Sequence, residues 1–523
     1  MSRPFPRLVA VALALVLAGC GGQPAIKFAF VAGSENTVME PIVQEFCKSR
    51  NATCSFTYKG SLDIGLDLQG KSGVAEDAVW PASSVWIDMF DGARRVSHAT
   101  SIAQMPVILG VRRSRAEALG WTGKAVRMSD ILAAVESGQL KFLMTSATQS
   151  NSGASAYLAM LSSAVAGQRV LQSADLDDPA VRKTVAGLLQ GVERSAGSSG
   201  WLADLYVQSA QGGTDYDAMW NYEAILKETN DKFRATGKEP LYAIYPADGV
   251  AIADSPLGFV DHGRGADAEK FFLDLIDFLQ SRPIAQRIAD TGRRIPLHPE
   301  INAKPEPDWN FDPTRLVTAI RMPEPTVIRQ ALILYQEALR KPSLTALCLD
   351  FSGSMQGAGE EQLQQAMTFL LTPKAASEVL VQWSPEDRIV VIPFDAGVRH
   401  TFEGTGKPDD QSKLLAEVAG ERADGGTDMY GCAESALTRF AQTPDSGRYL
   451  PAIVIMTDGR SQGSASGFLD DWRQAPVRVP VFGITFGDAD PQQLKALAEK
   501  TGGRVFDGKG DLAGAFRAAR GYN

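Results

Sequence analysis

The sequence predicts an α/β protein: a two-lobed region first, then a doubly wound, mostly parallel domain. Three observations predict it. Apolar runs of β-branched residues alternate with helical periods along most of the 523 residues. Turns rich in Gly, Ser and Asn stand where these strands pass into helices. A stretch with three prolines and no helical period, 303–313, divides the chain. The composition agrees: 44% apolar and 22% charged residues are values of a folded globular protein, which excludes a disordered chain, a collagen-like fibre and a coiled coil.

The opening segment reads as an address. Arg3 and Arg7 precede the apolar run from Leu8 to Leu17, which is too short to span a bilayer and reads as a secretory segment. The residues Leu17-Ala18-Gly19-Cys20 resemble a bacterial lipobox. That resemblance implies a signal peptide over 1–19, lipidation at Cys20 and a tether over 20–25, giving an exported, membrane-anchored lipoprotein on the periplasmic or outer side. An ordinary signal peptide with an incidental cysteine is the alternative.

The first region, 26–300, opens with an apolar strand at 26–31, followed by Gly33-Ser34-Glu35-Asn36 and a helical pattern from Val38 to Cys47. Further strands are expected at 54–58, 77–80, 106–111, 140–145 and 242–245. Helices are expected at 62–69, 127–136, 153–165, 180–191, 198–208, 215–228, 267–281 and 283–291. Export permits disulfides. Cys47 and Cys54 flank a helix-to-strand turn, so a local bridge is expected there. Cys348 and Cys432 lie in apolar segments and read as buried free thiols.

Residues 301–342 read as a linker ending in an amphipathic helix, with Val327, Ile328, Ala331, Leu332, Leu334, Tyr335 and Leu339 as its apolar set. From 343 to 523 the alternation is cleaner. Strands are expected at 344–349, 388–394, 398–402, 452–457, 479–484 and 504–506, with helices at 359–371, 410–419, 428–441, 491–501 and 511–519.

In an open parallel sheet, ligands collect at the carboxyl ends of strands. Asp350, Ser352 and Ser354 follow one strand here, Asp458 ends another, and Thr427 sits in a Gly-Gly-Thr loop before a helix. Carboxylates and hydroxyls are hard oxygen donors, suited to Mg²⁺, Mn²⁺ or Ca²⁺ rather than zinc. These residues resemble the von Willebrand factor A (VWA) domain and its metal-ion-dependent adhesion site, over about 343–523. The resemblance implies a Rossmann-like fold and a divalent ion, Mg²⁺ foremost. Ser352, Ser354 and Thr427 would ligate it directly, and Asp350 and Asp458 mostly through water. A position would remain for an acidic group of a protein partner. Simple helix capping, or a metal serving only stability, are the plainer readings of the same residues.

In the first region, the turns at Ser34, Ser61, Ser84 and Ser152 present helix N-termini with small side chains, a setting suited to polar ligands. N-capping explains each turn taken alone. Residues 26–300 also resemble a bacterial extracellular solute-binding protein of the two-lobed periplasmic-binding-protein type. The resemblance rests on Asp77-Ala78-Val79-Trp80-Pro81-Ala82-Ser83-Ser84, on Met105 to Val111, and on the late helix pair from Ala268 to Gln286 followed by 288–296. It implies two lobes closing on a small solute, with those four serines as cleft candidates. The solute itself is not legible.

Several function classes are excluded or weakened. A net charge of −9 with no run of five like charges argues against nucleic-acid binding. The four histidines form no metal-binding pair, and no phosphate-cradling Gly-rich loop ending in Gly-Lys-Ser/Thr occurs. A metal-dependent hydrolase is therefore the weakest reading, and a non-enzymatic binding protein is expected. The alternative is the substrate-capture component of an ABC-type importer with an accessory VWA domain.

Overall fold

The computed structural model describes residues 26–167, 169–213, 216–475, 478–486, 491–509 and 512–521. The expected signal peptide, Cys20 and the tether 20–25 lie outside them. Among the described residues no helix is long and apolar enough to cross a membrane.

Phe28 and Phe30 point their rings to one face of the strand Lys27–Gly33, and their burial against Phe259, Phe271 and Phe272 fixes that strand in the interior of a sheet. The sheet orders its strands Thr53–Lys59, Lys27–Gly33, Ala78–Trp80, Pro256–Val260 and Val96–Ser101. The first three run parallel; Pro256–Val260 returns antiparallel to both its neighbours. This is lobe 1. The late helices Ala266–Gln280 and Arg282–Asp290 cover it.

The chain leaves lobe 1 after Ser101 and re-enters it at Ser255. The two crossings lie together: Ile102 N donates to Ser255 O at 3.2 Å, and Trp80 Nε1 donates to Ser255 Oγ at 3.0 Å. Between them, lobe 2 builds a sheet ordered Ile252–Ala253, Met105–Arg112, Ala218–Tyr222, Phe142–Leu143 and Val192–Arg194; Leu241–Ile244 also pairs with Met105–Arg112. Here the expected helix 215–228 is corrected. Ala218–Tyr222 is a strand buried along its whole length, and the helix starts at Glu223. A strand covered on both faces shows no period of two, so its apolar run passes for the start of a helix.

Residues 301–342 are no free connector. The helix Pro325–Leu334 buries Val327, Ile328, Ala331 and Leu332, and Tyr335 and Leu339 continue that face. Each fully buried Leu or Ile contributes roughly 1.5–3 kcal/mol. Tyr157 of lobe 2 donates its hydroxyl to Ala331 O at 2.9 Å and packs its ring 5.2 Å from that of Tyr335.

The third unit is a six-stranded sheet ordered Phe402–Thr405, Arg388–Phe394, Ser343–Asp350, Leu450–Thr457, Val481–Thr485 and Val505–Asp507. All neighbours are parallel except the Phe402–Thr405 edge. The expected strand 398–402 is thus displaced toward 405, with Val398 making only an isolated bridge to Phe394. The central strand Ser343–Asp350 is buried throughout, and helices pack on both faces.

Two disulfides are formed. Cys47 joins Cys54 across the local turn. Cys348 joins Cys432, which corrects the expectation of free thiols. The helix Met429–Gln442 lies across the strand Ser343–Asp350 and brings its first turn over Cys348. Apolar neighbours surround a buried thiol and a buried disulfide alike, so the local pattern does not separate them.

Candidate functional site

The strand order of the third unit reverses at Ser343–Asp350: the chain first builds outward on one side through Arg388–Phe394, then returns to the other side with Leu450–Thr457. Asp350 and Asp458 therefore stand at adjacent strand ends, on either side of the crevice where such sheets hold ligands. Asp350 is fully buried. Its Oδ1 accepts from Ser352 N at 2.8 Å, and Oδ2 accepts from the Thr457 hydroxyl. The Oγ atoms of Ser352 and Ser354 are 3.1 Å apart, and Ser354 Oγ donates to Asp458 Oδ1 at 2.7 Å.

The third loop is stitched to the first. Gly353 N donates to Gly425 O at 3.0 Å, and Asp424 N donates to Phe351 O at 2.8 Å. A Cβ placed on Gly459 would lie 3.4 Å from Ser354 Oγ and 3.6 Å from Thr427 Oγ1, so both hydroxyls border the backbone next to Asp458. Arg399 supports the loops from below. It pairs with Asp395 at 2.8 Å and donates to the carbonyls of Phe351 and Asp424, both at 3.0 Å. Asp428 caps the following helix through Gly431 N at 3.1 Å and stays outside the cluster.

Two carboxylates and three hydroxyls thus converge from three loops, as the sequence pattern anticipates. Among the described residues no three His, Cys, Asp or Glu form a group able to hold an ion, so any cation here would depend on the hydroxyls. Burial, with repulsion from Asp458, pushes the Asp350 carboxyl above the usual range, although the Thr457 and Ser352 hydrogen bonds oppose this. A hard divalent cation would relieve that repulsion, so the donor set fits one.

The four serines named from the first region do not form one cluster. Ser34 faces the opposite lobe: its Oγ donates to Ser198 Oγ at 2.7 Å and accepts from Gly200 N at 2.9 Å. Ser61 is buried within lobe 1 and accepts from Ala82 N at 3.0 Å, while the next amide, Leu62 N, donates across the seam to Gln149 O at 3.1 Å. Ser84 stays beside the crossing strands, its N–H donating to Asp254 Oδ1 at 2.8 Å. Ser152 is buried inside lobe 2, its Oγ 2.8 Å from Thr145 Oγ1.

The seam between the lobes is built largely by residues that were not singled out. Glu35 accepts from Ser199 Oγ at 3.0 Å, Trp86 Nε1 donates to Asn151 Oδ1 at 2.8 Å, and Asn151 Nδ2 donates to the Tyr222 hydroxyl at 2.9 Å. Burial pushes the Glu35 carboxyl up to about 7, with its backbone hydrogen bond, Ser199 and Arg293 opposing. The signal that could have found half of this seam is Gly197-Ser198-Ser199-Gly200, a turn of the same composition as the four chosen.

Comparisons with known proteins find a family for each of the two regions. The family model described as bacterial extracellular solute-binding protein matches residues 29–294, and that of the von Willebrand factor type A domain matches residues 346–510. No curated protein matches the chain. Among solved structures, the chain is similar to the periplasmic binding protein AfuA from Actinobacillus pleuropneumoniae, with 13% identity, 58% of this chain and 93% of that one covered, and a TM-score of 0.42. It is also similar to a ferric binding protein from Campylobacter jejuni, with 14% identity, coverage of 59% and 98%, and a TM-score of 0.43. A von Willebrand factor type A protein from Catenulispora acidiphila shares 15% identity, with 35% and 42% covered and a TM-score of 0.29. With half of its length matched by one family model and the second domain by another, the chain belongs to the bacterial extracellular solute-binding proteins and carries a von Willebrand factor type A domain behind the solute-binding region.

Proposed function

We propose that this chain is an exported, lipid-tethered binding protein with no chemistry of its own. Its two lobes take a small solute, and its VWA domain holds a protein partner through a divalent ion. The solute-binding family supports export and a small-molecule ligand. The lipobox-like residues at 17–20 support anchoring through Cys20. The observation that carries the partner reading is the convergence of Asp350, Ser352, Ser354, Thr427 and Asp458 at the strand ends. When bound, the ion would offer an open coordination position to an acidic side chain. Ser352, Ser354 and Thr427 would hold it, and Asp350 and Asp458 would supply the compensating charge.

Isothermal titration with Mg²⁺ tests this. Wild type is expected to bind, and Asp350→Ala to lose binding. Equal binding by both proteins would remove the site assignment.

An accessory domain on an importer component would need little contact with the lobes. Here one apolar cluster takes in side chains of lobe 2, Ile328 and Leu332, and Leu347 and Leu349 of the VWA domain, which favours a protein working as one body.

A further inference from the structure

The helix Leu512–Arg520 is the last described element of the VWA domain, yet its final turn lies against the seam between the lobes. Arg517 Nε donates to Asp63 Oδ1 at 2.8 Å, and its Nη2 lies 3.7 Å from Asp67 Oδ1; both acids stand on the lobe 1 helix Ser61–Gln69. The carbonyl of Arg517 accepts from Gln149 Nε2 of lobe 2. The carbonyl of Gly521 accepts from Ser195 Oγ of lobe 2 at 3.0 Å. One helix end therefore grips both lobes. It does so beside the bond from Leu62 N to Gln149 O that closes the seam. Its fit is close: a Cβ on Gly521 would collide with the Gln149 side chain.

The same helix is anchored to its own domain by Arg520. That side chain lies 3.3 Å from Ser343 Oγ and 3.5 Å from Asp387 Oδ2, with its guanidinium 3.6 Å over the Trp383 ring. Two arginines three residues apart thus serve two bodies. Asp63 and Arg517 are each only 8% exposed. Burying such a pair strips water from both ions, and an apolar contact would join the bodies at least as firmly. A buried ion pair suits a contact that has to separate, because water solvates both charges once they part.

We propose that this helix end is a clasp: it holds the two lobes closed, and access to the interlobe cleft requires Arg517 to leave Asp63 and Gln149. Control of the cleft then resides in the VWA domain. The consequence for capture rests on the solute reading above, whereas the opening itself does not.

Hydrogen exchange on the full chain, with no solute present, reads that opening. The reporters are the amides of Leu62 and Gly200, each bonded across the seam, and the reference is the strand Leu450–Thr457. Losing a charged hydrogen bond in Arg517→Met is expected to speed exchange at both reporters by roughly tenfold and to leave the reference unchanged. Asp63→Asn, which alters the partner in the other domain, is expected to do the same, and Arg517→Lys to restore part of the protection. Wild-type rates at both reporters in Arg517→Met and Asp63→Asn would overturn the proposal. So would equal acceleration of the reference strand, which marks lost folding in place of an opened cleft. A chain that binds no solute still decides the matter, since none is added.

Discussion

The VWA domain meets the two lobes by different means. Toward lobe 2 the contact is apolar: lobe 2, the helix Pro325–Leu334 and one face of the VWA sheet belong to a single cluster, which also takes in Leu62, Leu66, Ala82, Trp86 and Phe90 of lobe 1. Toward lobe 1, whose main core of Phe28, Phe30, Phe46, Phe259 and Phe272 is separate, the contacts are polar: Arg517 with Asp63 and Asp67. The seam between lobes 1 and 2 mixes the two kinds. Trp86 and Leu62 reach into the shared cluster, while Glu35, Ser34, Ser198 and Ser199 meet through hydrogen bonds. Apolar contact is non-directional and proportional to area, so it holds bodies together through small movements. Hydrogen bonds and ion pairs are made or lost over about an ångström, and water replaces them when they break. With the clasp proposed above, this difference makes lobe 1 the moving part and lobe 2 with the VWA domain the frame, and Leu62, Leu66, Ala82, Trp86 and Phe90 the lobe 1 side chains that must slide on it.

The largest expected effect comes from breaking the frame. Leu332 is fully buried in the apolar cluster to which lobe 2 and the VWA domain both contribute. Leu332→Ala is expected to cost about 2–5 kcal/mol. Scanning calorimetry should show lobe 2 and the VWA domain unfolding in one transition at a lower temperature. If the variant instead melts one unit while leaving the other at its wild-type midpoint, the frame is not continuous.

Next comes pH, which acts on the polar joints and leaves the apolar ones alone. Burial raises Glu35 to about 7 from 4.5 and Asp63 to about 6 from 3.8. Both carboxyls ionise at a higher pH in the fold than in the unfolded chain, so between the two values the native state holds protons that the unfolded chain releases. The stabilisation is full below the unfolded values and is lost as pH rises through 6 and 7. The thermal midpoint is therefore expected to climb from pH 8 to pH 5. Glu35 contributes on the order of 3 kcal/mol to that slope at most. Glu35→Gln should flatten its upper part, and an unchanged slope in that variant would take Glu35 out of the account.

The smallest effect is expected at the edge of the clasp. Asp67 is 3.7 Å from Arg517 and partly exposed. Asp67→Asn should change stability by less than about 1 kcal/mol in a denaturant titration. A larger loss that persists in the Arg517→Met background would trace to the Lys59 bond to Asp67 at 2.7 Å, and one that disappears there would give Asp67 the Arg517 contact.

What could be read from the sequence follows how local each feature is. Asp350, Ser352 and Ser354 lie within five residues, and Asp458 ends a strand whose apolar run is unmistakable. A motif set by strand ends survives any detail of packing, which is why that cluster was legible. The strand Ala218–Tyr222 was not, because burial on both faces erases the alternation that marks a strand. The turns of the first region were recognisable by composition, but composition does not say which of them face each other. Ser34 reaches Ser198, whereas Ser152 turns inward to Thr145.

By itself, then, the sequence determined the fold class, the division into two regions and the oxygen-rich strand ends, since each follows from periodicity and residue type within a few turns of chain. Only the tertiary structure decided the pairing of Cys348 with Cys432, the packing of 301–342 into a core, and the contact of Arg517 with Asp63 across 454 residues of chain. Such contacts are chosen by which buried surfaces come to lie side by side, and no local pattern carries that choice.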